Sequence, residues 1–364
     1  MIRFCKTIVS RLFQSLNFRK IHLKFFLLVT GAGISLFLLS AVNPAEFSLF
    51  GSAAGGGTKD PPATEGSYPF PLIYFTAHYN EWILREAGRP YWAATELEIH
   101  SQTQSLKRPL FLNTDIIAFY GHPLSVNMGI LGRYNMADLN TRLNTLAAEY
   151  NAVNGKRGIR KALYIIYGTA QPRGEIGYIS DAVLQTYIRF ALEHDMLIFI
   201  DHQIGRYEPL DALKTMLPYL HYPNVHLALD PEWHTDKPMR IIGSITAQEI
   251  NEVQAAMSAY LEKYRLGGER MLVIHQFDHR MIKNRSEVRT GYKQVILIHC
   301  SDGFGSPALK RNTYAYNAQA KNMPIKGFKL FYNFDIPGAG YDDPLLSPAE
   351  VIELNPRPYL IMYQ

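Results

Sequence analysis

The sequence predicts an α/β protein of the (β/α)8 TIM-barrel class, and three observations predict it. Eight short apolar runs recur from Asp115 onward, amphipathic stretches with helix caps lie between them, and polar outliers gather where the runs end. Continuous apolar runs, rather than alternating ones, are what a parallel sheet buried on both faces shows.

The runs are IIAFYG (116–121), ALYIIYG (162–168), MLIFIDH (196–202), VHLALD (225–230), MLVIHQF (271–277), QVILIHC (294–300), GFKLFYN (327–333) and YLIMYQ (359–364). Between the first two, Leu139, Leu143, Leu146, Tyr150 and Val153 repeat at helical spacing before Gly155. Thr246 and Glu249 form a capping box ahead of Ile250, Val253, Met257, Leu261 and Tyr264. Ser347, Pro348 and Glu350 place a cap, a first-turn proline and a capping-box glutamate. The sequence ends inside the eighth run, so part of 68–107 is expected to replace the last helix or cover the barrel floor. An open doubly wound sheet is the alternative arrangement of these elements.

Ahead of the barrel domain, 68–364, the chain divides into a basic segment (1–24), an apolar segment (25–42) and a Gly- and Pro-rich linker (43–67). Six of the 37 Lys and Arg lie in 1–24, which leaves 31 against 32 Asp and Glu elsewhere. The body is therefore nearly neutral, and nothing in it points to nucleic acid. Phe25 to Val42 is 18 uncharged residues, long enough to span a bilayer. With basic residues before it, it reads as a transmembrane anchor that places the body on the extracytoplasmic side. The alternative is a cleaved signal peptide ending near Ser40-Ala41-Val42, with a secreted body. The two cysteines, Cys5 and Cys300, lie on opposite sides of that segment and are not expected to pair.

In such barrels the active site lies at the C-terminal strand ends. Here these ends carry His122 after strand 1, Asp201 and His202 at strand 3, and Asp230 and Glu232 at strand 4. His275 and Asp278 follow at strand 5, His299 and Asp302 at strand 6, and Tyr332, Asn333 and Asp335 after strand 7. In LALDPEWH, Asp230 and Glu232 stand two residues apart, so an extended strand would aim both to one side, about 6.6 Å apart. Two neighbouring carboxylates push one pKa up and leave the other ionised, the pairing that acid/base hydrolysis of a glycosidic bond uses. Trp233 suits stacking on a sugar face. The structural alternative is a polar strand end. The glycine-rich Ser301 to Ser306 reads as a tight strand-to-helix loop rather than a phosphate cradle.

The strand-four Asp-x-Glu resembles the motif of barrel glycosidases, the lysozyme-type muramidases and the chitinase group. That resemblance implies Glu232 as general acid and Asp230 as its assistant, with no cofactor. The sequence departs from the chitinase pattern at Ala228, and from the muramidase pattern at Tyr120-Gly121-His122, where those barrels carry an acid. FIDHQIGRYEPL, HLALDPEWH, IGSITAQEINEV, VIHQFDHRMI, HCSDGFGSPALK and GFKLFYNFD together resemble a group of uncharacterised exported bacterial proteins, a likeness that supplies no reaction.

The expectation is a glycoside hydrolase-like enzyme acting on envelope or extracellular carbohydrate. Glu232 and Asp230 carry the chemistry. His122, Asp201, His202, Trp233, His275, Asp278, His299, Asp302, Tyr332 and Asp335 position the substrate. Two rivals stand beside it. One is a metal-dependent hydrolase using His122, His202, Asp230, His275 and His299, ligand types that suit zinc or manganese. The other is a glycan-binding barrel without turnover.

Overall fold

The computed structural model describes residues 26–30, 33–37 and 114–364. Eight parallel strands close into a barrel: β1 (Thr114–Gly121), β2 (Gly158–Ala170), β3 (Leu197–His202), β4 (Val225–Leu229), β5 (Arg270–Gln276), β6 (Val295–Ser301), β7 (Lys326–Leu330) and β8 (Leu360–Tyr363). Each pairs with its sequence neighbours, and β8 pairs with β1 to close the ring. Every one overlaps an apolar run, and the doubly wound alternative falls away because a closed sheet has no edge.

Alternation along each strand sorts two cores. Ala118, Tyr164, Phe199, Ala228, Val273, Ile298 and Met362 fill the barrel interior. Their neighbours, such as Ile117, Ile198, Leu227, Leu272 and Ile361, face outward beneath the helices. That cover comes from α1 (Met136–Asn151), α2 (Asp181–Glu193), α3 (Pro209–Met216), α4 (Ala247–Lys263), α5 (Pro307–Ala318) and α6 (Pro348–Ile352). Leu139, Leu143 and Leu146 of α1 are buried as their spacing requires, each stabilising by about 1.5–3 kcal/mol. Val153, read as part of that face, is exposed beyond the helix end. Both expected capping boxes form, at Thr246–Glu249 and Ser347–Glu350. Pro209, Pro307 and Pro348 each stand in the first turn of a helix, where the missing N–H costs nothing.

One expectation is corrected. No α-helix joins β5 to β6; that connection holds two short 3-10 turns and a two-residue strand, Ile282–Lys283, paired with Ile245–Thr246. Its cover comes from α4, whose Asn251 and Gln254 side chains hold the backbone of Glu287 and Arg289. Within the expected anchor, Phe26–Thr30 and Gly33–Phe37 form two antiparallel strands that belong to a second unit. No helix among the described residues is long and apolar enough to cross a membrane. Gly31 and Gly33 interrupt the run, and glycine is a poor helix former. The linker and 68–107 lie outside the described residues.

The β1 exit is fixed by close backbone approach. Gly129 has φ +83°, and a Cβ there would meet Tyr120 O at 2.3 Å. Ile130 N donates to Tyr120 O at 2.9 Å, and His122 N to Met128 O at 2.7 Å. Gly129→Ala is therefore expected to cost more than about 1 kcal/mol, through positive φ and collision together. A lowered urea midpoint checks it.

Candidate active site

The C-terminal ends of the strands bring seven polar side chains to the interior. β1 supplies Tyr120, β2 Tyr164, β3 Asp201, β5 His275 and β7 Lys329, while Asp230 and Asp302 follow β4 and β6. Each lies two residues beyond an inward-facing position, so strand alternation alone aims it inward. All seven are buried.

They form one network. Tyr120 Oη donates to Asp201 Oδ2 at 2.8 Å. His275 pairs with Tyr164 Oη through Nε2 at 2.7 Å and with Asp302 Oδ2 through Nδ1 at 3.0 Å. Lys329 Nζ donates to the same Asp302 oxygen at 3.1 Å and lies 3.7 Å from the centre of the Tyr120 ring. Gly303 N donates to Asp302 Oδ1 at 2.7 Å. Lys329 is held from behind: Lys310 Nζ binds the Lys329 and Gly303 carbonyls, and lies 3.4 Å from Asp342 Oδ2. Asp342 accepts from Gly305 N and Phe331 N, tying the two loops together.

The DPEW segment departs from an extended strand. Pro231 brings no N–H to the ladder, which stops at Leu229, and residues 231–233 tighten into a 3-10 turn with Asp230 as its cap. Glu232 O accepts from Gly243 N at 2.6 Å, which fixes the turn. Glu232 therefore does not reach the interior by strand alternation, yet it stays electrostatically joined to Asp230 and Asp302. It is half-buried, as is Trp233.

These environments drive the carboxyls apart. Asp302 is held well below the usual range because Lys329 and His275 outweigh its burial. Burial, then the charges of Asp201 and Asp302, push Asp230 up to about 7 against the pull of His275 and Lys329. Glu232 is raised well above the ordinary value by burial, then by Asp230 and Asp302. Burial also raises Asp201. His275 is raised despite burial, through its bond to Asp302 and the charges of Asp230 and Asp201.

Other expected site residues go elsewhere. His202 and His299 face outward by the same alternation. His202 pairs with Tyr178 Oη and is lowered to about 3 by burial. His299 bonds Gln276 and Lys326 beneath the helix layer. His122 is buried in the β1 exit loop, where its Nδ1 accepts from Leu124 N at 3.1 Å. Asp278 is gripped by Arg280 at 2.8 and 2.9 Å, which lowers it to about 2. Tyr332 stacks on Tyr363 against the outer core. Asp335 stands exposed at φ +55°. The five residues of the metal reading therefore do not converge, and among the described residues no three His, Cys, Asp or Glu are arranged to hold a metal ion. Tyr120, Tyr164 and Lys329 are additions; a lysine inside the apolar run GFKLFYN was the available signal.

Fold and site together define a parallel (β/α)8 barrel with a carboxylate-rich C-terminal mouth. No protein-family model and no curated protein matches the chain. Among solved structures, a family 18 chitinase from Crocus vernus is similar, at 10% identity and TM-score 0.40 over 68% of this chain and 92% of that one. A chitinase from Chromobacterium violaceum is similar at 10% and 0.35, over 59% and 68%. A 2,3-dimethylmalate lyase is similar at 12% and 0.38, over 72% and 80%. At that distance such likenesses carry no weight for function, which must be argued from the side chains.

The raised Asp230 makes a stability prediction. A carboxyl whose folded pKa exceeds its unfolded one binds extra proton in the native state, so stability falls as pH rises between the two values. For Asp230 that window runs from the model-peptide 3.8 to about 7. Denaturant unfolding across that range is expected to show the fall, and Asp230→Asn to flatten it by up to about 1.4 kcal/mol per pH unit.

Proposed function

We propose that the barrel is a glycoside hydrolase-like enzyme that cleaves carbohydrate by carboxylate acid/base chemistry, outside the cytoplasm. One observation carries the reading: Glu232 and Asp302 share one electrostatic neighbourhood, yet burial raises the first well above the ordinary carboxylate range while Lys329 and His275 hold the second below it. A neutral acid beside a fixed anion is what glycosidic hydrolysis requires, the acid to protonate the leaving oxygen and the anion to stabilise the cationic transition state.

Glu232 is the acid of choice because it is the most strongly raised carboxyl that is only half-buried. Asp230 assists as the neighbouring carboxyl that, after burial, does most to raise Glu232. Asp302, clamped at both oxygens, supplies a charge that need not reorganise during the reaction. Trp233, half-buried beside Glu232, offers a ring to a sugar face. The basic 1–24 and apolar 25–42 segments support export of the body; envelope or extracellular glycan is the substrate this location favours.

Turnover of a panel of soluble glycans by the full chain tests the reading. Glu232→Gln is expected to reduce kcat by about 10²–10⁴ while binding persists, the loss of one general acid. In the wild type, activity is expected to decline as pH rises through the raised pKa of Glu232. Turnover unchanged in the variant, or glycan binding without turnover in either protein, contradicts it; the second outcome makes the barrel a binding module.

A further inference from the structure

The interior network spends its donors unevenly. Facing the barrel mouth are Tyr120 from β1, Tyr164 from β2 and Asp201 from β3. Asp230 and Glu232 follow β4, and His275 comes from β5. β6 brings Cys300, with Asp302 just after it, and β7 brings Lys329, while β8 presents the apolar Leu360 and Met362 inward. Four carboxyls thus meet two bases, and both bases are committed to one of the four. Lys329 and the His275 Nδ1 both bind Asp302 Oδ2, and the other His275 nitrogen is taken by Tyr164.

Asp201 and Asp230 are left short. Asp201 Oδ2 accepts from Tyr120, but Asp201 Oδ1 and Asp230 Oδ1 are both buried with no hydrogen-bond partner among the described residues. Asp201 is 0% and Asp230 2% exposed. An unsatisfied buried acceptor costs about 1–3 kcal/mol, more where it carries charge, and natural interiors rarely leave one idle without a use. Asp201 and Asp230 stand at the ends of neighbouring strands, β3 and β4, where Asp201 pairs with Ala228 and His202 with Leu229.

We propose that Asp201 and Asp230 together form a subsite for a protonated amine on the substrate, an amino sugar whose nitrogen carries no acyl group. The chemistry favours an ammonium over a hydroxyl. An ammonium brings several donors from one atom, so it can serve both idle oxygens, and it brings the positive charge that the surplus carboxyls lack. A hydroxyl supplies one donor and no charge, leaving the surplus uncompensated. Placing a cation there favours the ionised form of Asp230, so binding expels the proton that the empty site retains. The inference rests on the proposed function only for the sugar framework; the cation subsite follows from the two oxygens themselves.

Isothermal calorimetry on the full-length Glu232→Gln chain separates the two. The probes are the β-1,4-linked tetramers of glucosamine and of glucose, at about pH 6, below the ordinary range of an amine. The glucosamine tetramer is expected to bind at least about tenfold more tightly, and its heat to vary with buffer ionisation enthalpy as protons are released. Asp230→Asn is expected to abolish proton release, and Asp201→Asn to erase the preference, with the glucose tetramer unaffected by either. Equal or weaker binding of the glucosamine tetramer, binding without proton release, or no binding of either tetramer overturns the subsite. These readouts concern the wild-type Asp201 and Asp230 oxygens first, so they stand even where a variant fails to fold. Turnover plays no part in them: a chain that cleaves nothing can still show the preference, and an active one can lack it.

Discussion

The mouth of the barrel depends on one buried ion pair, Lys329 with Asp302. Both side chains are almost fully buried, at 4% and 5% exposure, and Nζ and Oδ2 stand 3.1 Å apart. Charges removed from water pay a desolvation cost that only good geometry and extra hydrogen bonds offset. Asp302 meets that condition with two further hydrogen-bond partners, His275 Nδ1 and Gly303 N. Breaking such a pair leaves an uncompensated buried charge, typically a loss of about 3–5 kcal/mol. The more important consequence is electrostatic. By concentrating both bases on Asp302, the arrangement leaves Asp201, Asp230 and Glu232 governed mainly by burial and mutual repulsion, which raise all three above the ordinary carboxylate range.

That division follows from strand geometry more than from any special loop. Successive residues alternate faces, so Lys329 enters the barrel while Lys326 and Leu330 leave it. Gly327 gives room for the Cys300 thiol, to which an added Cβ would make a tight contact of 3.1 Å. The lysine is then steadied through its backbone by Lys310 of α5, itself paired with Asp342. A helix, two loops and a strand end therefore agree on one position for one ammonium group, which is the kind of rigid support a preorganised site requires.

The fold was far more legible in the sequence than the site. All eight strands announced themselves because a strand buried on both faces must be apolar along its whole length, whatever its neighbours do. The β5–β6 connection was not legible, since its cover is supplied by polar side chains of α4, a tertiary arrangement without local periodicity. At the site, Asp201, Asp230, His275 and Asp302 were legible as acids and bases at strand ends. His202 and His299 have the same chemistry at the same ends but the opposite parity, and parity is fixed only when the inward register is known. Glu232 escaped strand reasoning because Pro231 turns the chain. Lys329 was hidden by its setting: one cation within an apolar run reads as an interruption until the carboxylates around it are placed.

The interior carboxyls are divided by their environments, and carboxyl carbon NMR across a pH titration reads that division residue by residue. Asp302 is expected to stay ionised below the ordinary carboxylate range, Asp230 to titrate near 7, and Glu232 to titrate well above its ordinary value. Titration of all three together, at ordinary carboxylate pH values, would contradict it.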